Sequence, residues 1–124
     1  MLSDGQRRRL ESYSPGGYKL LSERLAATRD ALEHTPDERY AIELFVTENT
    51  EPARMEGFLM RARRLVALDD VYVIPMGADL RLRVVYGQYD SAREAAEAQR
   101  KLPPKYQEAF RTSSRSFADL RKQM

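Results

Sequence analysis

The sequence has no cysteine, so it offers no disulfide staple, no thiol nucleophile and no CxxC zinc site. Its one histidine, His34, leaves no histidine cluster for a metal and no spare for a Ser/His/Asp triad. No stretch approaches the roughly 18–20 apolar residues that a membrane span needs. Arg7-Arg8-Arg9 is followed by no apolar run, so a signal peptide is not expected. The chain is then either cytosolic as it stands or one domain of a longer protein. Charge of one sign is also scarce. Lys+Arg number 21 and Asp+Glu 19, a net charge of +2, without the basic stripe of a dedicated nucleic-acid binder. Gly16-Gly17 lacks the spacing and the preceding strand of a phosphate loop. Asp69-Asp70 ends a helix, and Glu94/Glu97 lies on a solvated face, so no carboxylates converge for acid–base work. An enzyme is not expected, nor a cofactor or metal.

What remains is a chain of 124 residues, 42% hydrophobic and 32% charged, the size and balance of one globular domain. Residues 1–17 read as a lead-in that ends at the structure-breaking Ser14-Pro15-Gly16-Gly17. From Tyr18 to His34, Leu21, Leu25, Thr28 and Leu32 share one face of a helix, which Pro36 stops. Tyr40 to Thr47 alternates as a strand: Tyr40, Ile42, Leu44 and Val46 on one side, Glu43, Phe45 and Thr47 on the other.

Asn49 or Thr50 caps the next helix, with Pro52 in its first turn and Met55, Phe58, Leu59, Ala62 and Val66 as its buried stripe. Val71–Ile74 is a second strand. Asp79–Tyr89 contains a third, with Leu82, Val84 and Tyr86 opposed to Arg81, Arg83 and Val85. Ser91 and Glu94 form a capping-box signature before an Ala-rich helix that Pro103-Pro104 ends. Residues 107–112 are expected as the fourth strand. Ser113 or Ser114 then caps a short helix with Phe117, Leu120 and Met124 on one face.

This order predicts an α+β fold, the split β-α-β sandwich: a four-stranded antiparallel sheet with two helices on one face. Residues 1–36 form a lead-in and helix, 37–113 the β-α-β-β-α-β domain, and 114–124 a C-terminal helix. The first and third strands are then central neighbours. The face away from the two helices carries Glu43, Phe45 and Thr47 beside Arg81, Arg83 and Val85, flanked by Tyr72 or Val73. It faces water unless the terminal helices cover it. As a plain surface feature, Glu43 and Arg83 make a cross-strand ion pair worth at most about 1 kcal/mol. As a site, aromatic rings beside hydrogen-bonding Arg and Glu suit a flat polar ligand such as a sugar.

The segment Arg83-Val-Val-Tyr-Gly-Gln-Tyr-Asp-Ser-Ala-Arg-Glu-Ala-Ala-Glu-Ala-Gln-Arg-Lys-Leu-Pro103 resembles the second half of the SPOR domain. Tyr40-Ala-Ile-Glu-Leu44 resembles that family's first strand, with Glu43 at the position commonly held by glutamine. The Leu-Pro exit is most like the DamX-type branch of bacterial cell-division proteins. The resemblance covers 37–113. It implies the same sandwich fold and a non-catalytic domain that binds peptidoglycan glycan strands stripped of stem peptides across the open sheet face. Glu43, Phe45, Thr47, Tyr72, Arg81, Arg83 and Val85 would be the binding residues. It further implies the periplasm or envelope, within a longer membrane-anchored protein at the septum. The alternative is a protein-interaction module of an envelope, secretion or pilus complex, using the sheet face or the helix with Leu21, Leu25 and Leu32. Nucleic acid is not an expected partner.

Overall fold

A computed structural model describes residues 2–77 and 79–124. Among the described residues, six α-helices and four strands set the frame: α1 (Asp4–Ser12), α2 (Lys19–His34), β1 (Tyr40–Thr47), α3 (Pro52–Ala62), β2 (Val71–Met76), β3 (Arg81–Tyr89), α4 (Ala92–Arg100), α5 (Pro104–Ala109), β4 (Ser113–Ser116) and α6 (Phe117–Lys122). The four strands form one antiparallel sheet in the order β2-β3-β1-β4. This is the split β-α-β arrangement expected from the sequence, with β1 and β3 central.

One sheet face packs under α3, α4 and α5, with Ala95 and Ala98 of α4 laid close on it. Ile42, Leu44, Val71, Val73, Leu82 and Val84 meet Met55, Leu59, Leu102 and Tyr106 there. Ser91 caps α4 by accepting a hydrogen bond from the Glu94 N–H, as its spacing predicts. The cap of α3 differs: Glu51 holds that position without a side-chain bond, while Asn49 Oδ1 accepts from the Glu51 N–H. The residues expected as a fourth strand, 107–112, begin inside α5, which starts at Pro104 because proline suits a first helical turn. The strand follows at Ser113, and Ser116, not Ser113 or Ser114, caps α6.

The opposite face carries a second core. Ala41, Tyr72, Ile74 and Val85 pack against Leu2 and Leu10 from the α1 region and against Phe117, Leu120 and Met124 around α6. The residues read as a lead-in therefore form a structural helix. It has a full capping box: Ser3 Oγ accepts from the Gln6 N–H, and Gln6 Oε1 accepts from the Ser3 N–H.

α2 closes the flank of the sheet and joins the cores, with Leu21 in the first and Ala31 and Leu32 in the second. Its side chains meet the outer backbone groups of β2. Thr28 Oγ1 accepts from the Val73 N–H at 2.9 Å, and Arg24 donates to the Val71 carbonyl at 3.3 Å. Two of the edge strand's outward groups are thus satisfied within the chain.

Two irregularities set which way side chains point. Between Glu43 and Phe45, β1 has one residue more than β3, since Glu43 lies opposite Val85 and Phe45 opposite Val84. The alternation shifts by one there. A second shift lies opposite Gly87, whose φ of +80° is open to glycine, and where a Cβ would come within 2.6 Å of the Tyr89 ring. It lets Tyr86 and Tyr89, three residues apart, pack on the same side of the sheet.

Candidate functional site

The ladder registers place Glu43, Val85 and Tyr72 in one row across β1, β3 and β2, and Arg83 with Ile74 in the next. Tyr72, not Val73, is the flanking residue; Val73 belongs to the other core. Glu43, Tyr72, Arg81, Arg83 and Val85 thus share the expected face. Phe45 and Thr47 do not. The bulge at Leu44 turns Phe45 toward the helices, where its ring sits 5.1 Å from Phe58 and 4.9 Å from Phe110. Thr47, opposite the buried Leu82, follows it, and Val46 takes the place expected for them, 37% exposed and opposite Arg83.

The face is covered, not open. The terminal helices α1 and α6 leave Val85 and Tyr72 buried, and the side chains of Glu43 and Arg83 retain 12% and 6% exposure. Only its end, at Arg81 and Val46, reaches solvent. Beneath the cover Arg83 Nε lies 2.9 Å from Glu43 Oε1, and Arg115 Nε from β4 lies 3.5 Å from the same oxygen. Arg83 Nη2 donates to Gln123 Oε1 at 2.6 Å, and Arg115 pairs with Asp119 at 3.3 Å, so the charges run on into α6. Burial lowers the Arg83 pKa, while Glu43 pulls the other way. A carboxylate held between two guanidiniums is here a cross-link of the chain to itself.

Further bonds hold the cover. Gln6 Nε2 donates to the Arg121 carbonyl at 2.6 Å, tying α1 to α6. Arg121 is buried; its guanidinium donates to the carbonyls of Leu32 and Thr35 and to Asp37. It thereby satisfies backbone oxygens that the end of α2 leaves without partners. Arg7 forks onto Glu33 of α2, with Nη2–Oε1 at 2.6 Å and Nε–Oε2 at 3.1 Å.

The Arg7 bond holds the Glu33 carboxyl at about 2, below its ordinary 4.5. A carboxyl whose pKa is lower folded than unfolded adds stability above its unfolded pKa and loses it as pH falls toward the folded value. The α1 clamp is therefore complete above about pH 4.5 and weakens toward pH 2. Hydrogen exchange, corrected for intrinsic rates, should show the α1 amides losing protection between pH 5 and about pH 2.5 while β1 and β3 keep theirs. Equal loss in α1 and the central strands would contradict this.

Among the described residues no group of three or more His, Asp or Glu side chains is placed to hold a metal ion, and no helix is long and apolar enough to cross a membrane. Comparison of the chain with protein-family models, with curated proteins and with solved structures finds no match.

Proposed function

We propose that the chain is a non-catalytic binding domain of the SPOR type, which takes a longer, membrane-anchored envelope protein to peptidoglycan at the bacterial division site. The observation that supports this reading is the sheet: β1 and β3 lie side by side at its centre, in the strand order of the split β-α-β sandwich, with Glu43 and Arg83 on one face. The segments that resemble the family's first strand and its glycine-ended third strand are these two.

The cover sets a condition. A glycan strand reaches Glu43 and Arg83 only where α1 and α6 have moved aside, so the closed domain holds the wall weakly. A pull-down of the full chain on intact and amidase-treated sacculi tests this. More protein should be retained after amidase treatment, and more again for Leu10→Asp, which puts a charge into the α1 contact. Circular dichroism checks that this variant stays folded. No enrichment of either protein on amidase-treated sacculi would end the wall-binding reading. The closed face itself favours the second reading, in which the same fold engages a protein partner through another surface.

A further inference from the structure

The helix side of the molecule carries a groove along the rim of the first core. It lies between the C-terminal end of α3 and the segment that leaves α4, and consists of two adjoining depressions of about 640 and 450 Å³ that share Arg63, Arg64 and Leu65. Arg61, Lys101 and Lys105 complete a set of five exposed cations along it. Among the described residues none of the five forms an ion pair, although Arg7, Arg24, Arg29, Arg39, Arg83, Arg115 and Arg121 all do. Cations near helix C-termini complement the helix dipole, an effect of roughly 0.3–1 kcal/mol each at the surface. That accounts for one or two of them but not for their meeting along a concave surface.

The rest of the lining defines what fits. It holds no aspartate, glutamate, asparagine, glutamine, serine or threonine. Apart from two tyrosine hydroxyls, the side chains offer only donors and hydrocarbon. The rings of Tyr86 and Tyr89, half-buried, belong to the first depression; Met60, 50% exposed, and Leu65, 39% exposed, border the second. A sugar's hydroxyls need acceptors as well as donors, so a glycan is poorly served. Carboxylates are well served by unpaired arginines, and aliphatic side chains by exposed methionine, leucine and aromatic edges.

We propose that this groove is a docking surface for an acidic segment of a partner protein, one that carries leucine or phenylalanine between its carboxylates. The surface lies on the opposite side of the sheet from the α1–α6 cover, so it stands whether or not the domain holds the wall. Docking there would bear on the rim of the first core, at Tyr86, Tyr89 and Leu102, and leaves the second core and the Glu43–Arg83 pair untouched.

The test is fluorescence anisotropy of the full chain with a labelled peptide of alternating Glu and Leu. The peptide should bind in low salt and weaken as salt rises. The double variant Arg64→Glu with Lys101→Glu should weaken binding by about tenfold or more, while Leu10→Asp on the far face leaves it unchanged. Both replaced residues are exposed, so the melting temperature should hold. Unchanged affinity in the double variant would overturn the proposal. So would tighter binding of a single-stranded oligonucleotide of equal charge, or of polyglutamate lacking leucine. Failure on sacculi with success here would remove the wall reading alone, and the reverse would remove this one alone.

Discussion

Glu43→Ala is expected to destabilise the domain by about 3–5 kcal/mol in urea unfolding, because it strands a buried guanidinium. Arg83 keeps only Gln123 as a partner after this change, and Arg115 swings back on Asp119. The pair is far from the surface ion pair that strand alternation suggests, for which about 1 kcal/mol is the ceiling. Removing both charges together should cost much less. Glu43→Leu with Arg83→Met keeps the volume and leaves no unpaired charge, and buried pairs replaced this way are often neutral or better. A double variant that recovers most of the loss would identify the pair as an internal cross-link. A loss from Glu43→Ala of no more than about 0.5 kcal/mol, as at an ordinary surface site, would instead mean that the sheet face is open in solution. The direct glycan reading would then return.

The second large effect falls on Arg121. Its replacement by alanine should cost about 3 kcal/mol or more, since the Leu32 and Thr35 carbonyls at the end of α2 lose a charged donor at once. Arg121→Lys should recover little of this. One ammonium cannot match the fork that reaches two carbonyls and the Asp37 carboxylate together. The loss should fall first on α1 and α6, which Gln6 couples through the Arg121 carbonyl. Amides there should exchange faster in the variant than those of β1 and β3. Protection lost evenly over the whole chain would show that the cover is no separate unit.

Period-two alternation located β1 and β3, and the turn residues between them bounded the elements, so the sheet and its order were legible in the sequence. Of the Leu21, Leu25, Thr28 and Leu32 stripe, Leu21, Thr28 and Leu32 are buried as the spacing predicts, and Leu25 is partly buried against the first core. The side on which Phe45 falls was not legible. Leu44-Phe-Val46 is an unbroken apolar run, and alternation cannot show where an extra residue shifts the phase. The fourth strand was hidden for a different reason. Ser113–Ser116 has neither β-branched nor aromatic residues and is held by pairing with β1, so propensity pointed instead to Ala109-Phe110.

Whether the terminal helices cover the sheet stays open on alternation alone, but two signals in the sequence favour a cover. Ser3 and Gln6 stand at capping-box spacing at the head of α1. Val71-Tyr-Val-Ile-Pro-Met76 is apolar on both faces, a pattern that belongs to a strand buried on both sides. A sheet with one wet face has no use for Tyr72 and Ile74 beside Val71 and Val73. The five cations of the helix-side groove, Arg61, Arg63 and Arg64 in one stretch and Lys101 and Lys105 in another, are far apart in the sequence. Only the fold brings the end of α3 alongside the exit of α4.

The helix laid along the flank of Val71–Met76 also governs how such molecules meet one another. The Val73 N–H and the Val71 carbonyl, which Thr28 and Arg24 already occupy, offer no template to an incoming chain, so ribbon growth is impeded at that border. Growth is left to the far border, where Ser113–Ser116 presents four residues of hydroxyls and a guanidinium, too short and too polar for a dry fibril seam. Crowding many copies along a surface therefore carries little risk of their sheets fusing end to end.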